Sequence, residues 1–108
     1  TGFRCYFVPR CEVNYQSYHR DNDLYNMGIY KLNGQDAARF VYWAQENGWS
    51  PMPLSDEALT SGMLNEETCP EAAEIKQVTQ GLWKQPNGMA LFVFDSQTAT
   101  LYIRKMPR

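Results

Sequence analysis

The stretch MALFVFDSQTATLYIRKM, residues 89–106, decides the fold. Its first half, MALFVF, is nearly all apolar, as expected of a strand covered on both faces and central in a sheet. Its second half alternates: Leu101 and Ile103 fall on one face, with Thr100, Tyr102 and Arg104 on the other. That period of two predicts a strand with one wet face. DSQT between them supplies a turn, with Asp95 placed to bond its own backbone. The C-terminus is therefore a β-hairpin, entered from a Pro86-Asn87-Gly88 turn.

Working back from the hairpin, the pattern changes to helix. Ala72, Ile75, Val78 and Leu82 recur at helical spacing, and Thr68 with Glu71 fits a capping box, with Pro70 tolerated in the first turn. SDEALTSGML, residues 55–64, predicts a short helix capped by Ser55, after a Pro-punctuated connector at 49–55. Further upstream, Ala37, Phe40, Val41 and Ala44 form a stripe at i, i+3, i+4, i+7. Asn33 is a good N-cap, Asp36 suits the positive end of the helix dipole, and Gly48 suits the residue just past the end.

The first third reads as extended. Phe3, Cys5 and Phe7 share a face, and Pro9 interrupts the run. Cys11, Val13 and Tyr15 then alternate with Glu12, Asn14 and Gln16, and YNMGIYKL (25–32) reads as the next strand. The order β-β-α-(α)-α-β-β predicts an α+β fold over residues 1–108. It is a single domain with a small antiparallel sheet of about four strands and two main helices packed on one face.

Composition narrows the function classes. Ten basic and twelve acidic residues leave a net charge of −2, without the basic stripe that phosphate contacts require. The tail IRKMPR, with Arg104, Lys105 and Arg108, is the nearest approach to one, so nucleic acid is not the expected partner. No segment approaches the about 18–20 apolar residues of a membrane span, and TGFRCYFVPR lacks the layout of a signal peptide. Three cysteines, Cys5, Cys11 and Cys69, predict free thiols in a reducing compartment and hence a soluble, cytoplasmic setting.

Seven Tyr, five Phe and three Trp are many rings for one small core. An exposed aromatic patch is expected, because such side chains also anchor interfaces.

The densest chemistry lies in YHRDNDLYN, residues 18–26, which holds the only histidine. HRD at 19–21 lacks the glycine-rich loop, paired lysine and downstream Asp that a kinase needs. DND at 21–23 lacks the glycine and final glutamate of a calcium-binding loop. Cys5, Cys11, His19 and Cys69 suit zinc as a donor set but not in spacing. A Cys5–Cys11 disulfide requires a tight reversal at Pro9. Cys69 at a helix N-terminus is the best case for a nucleophile, since the dipole lowers a thiol pKa there, but no base and orienting group are assembled around it.

The sequence thus predicts no catalytic residue, no metal and no cofactor. It predicts a polar inter-strand loop flanked by tyrosines, in a non-catalytic binding protein that grips a protein partner or a second copy of itself. Tyr18, His19, Arg20, Tyr25 and Trp49 are the expected contacts. The alternative is a small enzyme or ligand-binding protein with a cleft around His19 and Asp21 or Asp23.

Overall fold

In the computed structural model of the chain, the described residues are 2–4, 12–22, 27–32, 34–67, 69, 71–88 and 90–105. Side chains are described between 29 and 104, apart from 33, 68, 70, 87 and 89. The strands are β1 (Gly2–Arg4), β2 (Glu12–Asn22), β3 (Met27–Leu32), β4 (Ser50–Pro51), β5 (Gly81–Asn87), β6 (Ala90–Asp95) and β7 (Thr100–Lys105). They form an antiparallel sheet in the order β1-β2-β3-β7-β6-β5-β4. The helices are α1 (Gly34–Glu46), α2 (Asp56–Leu59) and α3 (Ala72–Lys76), with a 3-10 turn at Gly62–Leu64. The α+β class is the expected one. The sheet is wider than four strands because β5 and the short edge pieces β1 and β4 join it.

The sequence in β6 explains the layering. Ala90, Phe92 and Phe94 enter one core, with Leu32, Phe40, Ala44, Trp49, Leu82, Leu101 and Ile103. Leu91 and Val93 enter a second core, with Ile29, Ala58, Met63, Leu64, Cys69, Ala72, Ile75, Val78 and Tyr102. Successive side chains of a strand point to opposite faces, so these are the two sides of one sheet. α1 covers the first side, while α2, the 3-10 turn and α3 cover the second. The helices are therefore divided between the faces rather than stacked on one.

This division corrects the wet face expected of β7. Tyr102 and Arg104 are buried, and their polar tips are satisfied within the covering layer. Tyr102 donates its hydroxyl proton to Glu74 Oε1 at 3.0 Å, and Arg104 Nε donates to the Met63 carbonyl at 3.1 Å. Long amphipathic side chains can cross an apolar layer in this way, and an alternation of residue types alone does not reveal it.

α1 follows its apolar stripe, with Phe40 and Ala44 fully buried. Gly48 ends it at φ +81°, and Trp49 N–H returns to the Ala44 carbonyl at 3.1 Å, the six-to-one bond of a Schellman end. Ser55 caps α2 as expected, its Oγ accepting from Ala58 N at 3.2 Å. The Asp95 turn also forms, with Gln97 N–H donating to Oδ1 at 2.9 Å.

The helix expected from Thr68 to Leu82 is much shorter. Thr68 and Pro70 lie outside the described residues. Glu71 takes the N-cap position with helical angles (φ −80°, ψ −4°) and makes no side-chain cap bond. The helix stops at Lys76, where β-branched Val78 and Thr79 are followed by Gly81 at φ +137°. Leu82 continues the helical spacing in sequence, but it belongs to β5.

Candidate functional site

The stretch at 18–26 is not a loop throughout. β2 runs to Asn22, so Tyr18, His19, Arg20 and Asp21 are strand residues; Asp23 and Tyr25 lie outside the described residues. The pairing of β2 with β3 is irregular at two places. Tyr15 pairs with Leu32 and Ser17 with Lys31, while Tyr18 pairs with Tyr30 and Asp21 with Gly28. Between the latter two pairs, His19 and Arg20 together oppose Ile29, which is a β-bulge. A second extra residue, Gln16, sits between the former two. Bulges bend a strand and increase its twist, and they recur at sheet edges and beside functional sites.

β2 has a second neighbour. β1 pairs with it at Glu12, Val13 and Asn14. Among the described residues, the segment from Tyr15 to Asn22 pairs with β3 alone. Tyr18, His19 and Arg20 are thus brought together at backbone level on a bulged stretch of β2.

Trp49 is separated from them. It is 6% exposed and belongs to the first core. Its ring meets Phe40 edge-on at 5.2 Å and stacks on Phe92 at 5.9 Å. The cause is the Schellman end of α1, which turns the residue after Gly48 back onto the helix's own apolar stripe. Its place is structural. Among the described residues the exposed large ring is instead Tyr42, 68% accessible on α1.

Cys69 does precede a helix, but α3 is five residues long and the thiol is 1% exposed. Burial pushes its pKa up, against the Arg104 charge and the backbone N–H groups of Glu71 and Ala72, which pull it down. Glu71, whose Oε2 is 3.9 Å from Sγ, also raises it. The N-terminal position thus fails to make a thiolate, because desolvation outweighs the dipole in so short a helix. Cys5 and Cys11, expected as free thiols, lie outside the described residues.

A second feature gave no signal in the sequence. At the opposite end of the sheet, an open groove of about 420 Å³ runs between α2 and β5, lined by Ser55, Glu57, Ser61, Trp83, Gln85 and Gly88. These residues come from segments some thirty positions apart. The start of β5 reads as the end of a helix and its end as part of a turn, so no local pattern could have joined them. Among the described residues, no helix is long and apolar enough to cross a membrane. No family model matches the chain, and neither a curated protein nor a solved structure matches it.

Proposed function

We propose that the protein is a non-catalytic binding module that takes a protein partner, a second copy of itself included, along the β2 edge. Tyr18, His19 and Arg20 are the contacts, with Tyr25 following in sequence. The observation that carries this reading is the doubly bulged stretch of β2, where Gln16 is one extra residue and His19 and Arg20 together oppose Ile29. An edge strand offers backbone N–H and C=O groups to an incoming strand, and neighbouring side chains add specificity. Tyrosine and arginine are the residue types that most often dominate such contacts. Coverage of both sheet faces by helices supports the same reading, since it directs recognition to the edges and ends.

The test compares the chain with its Tyr18→Ala/Arg20→Ala variant, each used as bait and each weighed by light scattering over a range of concentrations. The expected result is a complex or self-association that the variant loses while melting at the same temperature. Full-strength association by a variant that melts normally would remove the β2 edge from consideration.

A further inference from the structure

We infer that the groove between α2 and β5 is a binding site for a small neutral saccharide, distinct from the β2 edge at the other end of the sheet. The fold leaves hydrogen-bonding capacity over along the walls of this groove. Ser55 Oγ accepts from Ala58 N at 3.2 Å, so its hydroxyl proton is available to a ligand. Ser61 Oγ donates to the Ala58 carbonyl at 2.8 Å, so its lone pairs are available instead. One residue, Ala58, thereby fixes two hydroxyls in complementary states on the same wall. Glu57 adds acceptors, and Gln85 adds both a donor and an acceptor.

The opposite wall carries an oriented ring. Trp83 packs against the second core, and its Nε1–H donates to the Pro51 carbonyl at 3.2 Å. Its polar atom is thereby engaged, and the ring contributes an apolar surface to the groove. A sugar ring has the matching two-sided character: a C–H face for the indole, and hydroxyls that both donate and accept around the rim. The volume lies within the about 300–1,000 Å³ typical of small-molecule sites.

Charge excludes the other common ligands. None of the described lining residues is cationic, and the Lys84 ammonium, on the other face of the strand, is engaged with the Asn47 carbonyl at 3.0 Å. Phosphates and carboxylates thus find no counter-charge beside Glu57. An ammonium ligand would use Trp83 and Glu57 but leave Ser55, Ser61 and Gln85 without a role.

The experiment is a titration followed by amide and indole NMR spectra, using glucose, N-acetylglucosamine and cellobiose as probes and tetramethylammonium chloride as the competing chemistry. The expected result is that at least one sugar shifts the Trp83 indole N–H and the Ser61 and Gln85 amides, with a millimolar dissociation constant. Ser61→Ala and Gln85→Ala should each weaken that binding about three- to tenfold, the loss of one hydrogen bond. Both residues are half-buried on the walls of an open groove, so the rest of the spectrum should be preserved. Sugars that move none of these signals, binding of equal strength in both variants, or a response to tetramethylammonium alone would overturn the assignment.

Discussion

Replacing Gly81 by alanine should be among the most damaging single-methyl changes available to this fold. Gly81 opens β5 opposite Asp95, its carbonyl accepts from Met52 N at 3.0 Å, and its φ is +137°. A Cβ there would lie 1.8 Å from the Phe94 carbonyl oxygen and 2.9 Å from its carbon, with Ser96 N at 3.1 Å. All three are backbone atoms, so no rotamer change relieves the overlap. The backbone region itself costs a residue with a side chain about 1–3 kcal/mol. Separating β5 from β6 also weakens the Gly81–Asp95 pairing and the Ser96 N–H bond to the Gln80 carbonyl, at about 1 kcal/mol each. The sum is about 3–5 kcal/mol, or a melting temperature lower by at least about 12 °C for a domain of this size. Two other glycines separate the causes. Gly48 has φ +81° and nothing near its absent Cβ, so Gly48→Ala should cost the conformational part alone, about 1–2 kcal/mol. Gly34 has neither a positive φ nor a neighbour, and Gly34→Ala should be stabilising by about 0.4–1 kcal/mol. Calorimetric or circular-dichroism melts of the three variants give the order directly. If Gly81→Ala melts within a degree or two of Gly48→Ala, the close approach of β5 to Phe94 is wrong.

Phe40→Ala should cost about 3–5 kcal/mol, because its ring is fully buried against Trp49 and Phe94; near-ultraviolet circular dichroism should lose signal in parallel, and an unchanged spectrum would count against the ring cluster. Stability should fall as pH rises beyond about 9–10. The Cys69 thiol and Tyr102 hydroxyl both have folded-state pKa values raised by burial, so the unfolded chain releases these protons first. The Tyr102 contribution is complete below its ordinary phenol range and is lost above it, and Tyr102→Phe should flatten that part of a pH series of denaturant melts. In a chain carrying Cys5→Ser and Cys11→Ser, Cys69 should react with a thiol reagent only as fast as the protein opens, and immediate labelling under native conditions would contradict its burial.

Why some of this was legible in the sequence, and some not, follows from where each element gets its information. α1 carries its own signals in a stripe, a first-turn aspartate and Gly48, all of which operate within the helix. β6 is legible for a related reason, since a strand covered on both faces needs apolar residues throughout. β5 is illegible because Leu82 extends the spacing of Ile75 and Val78, and because Pro86 argues against a strand. Pro86 is accommodated by an irregularity between Lys84 and Asn87, where the pairing with β6 shifts. The second helical layer was hidden because Tyr102 and Arg104 look like a solvated face, while their polar ends reach Glu74 and the Met63 carbonyl. Trp49 looked like a surface anchor because it follows a helix end, yet the turn at Gly48 directs it inward. The strand character of Tyr18–Asn22 was obscured by polar residues in strand positions, and the bulge at His19 and Arg20 depends on β3, which lies across the sheet rather than along the chain.

Hydrogen–deuterium exchange across Tyr15–Asn22 reads out whether β2 is the recognition surface. Exchange in the free chain should be compared with exchange in the complex or oligomer isolated with it. Amides in this segment should slow markedly in the assembly, while those of β6, already paired on both sides, should not change. Unaltered exchange across Tyr15–Asn22 in an assembly that protects a different segment would contradict it.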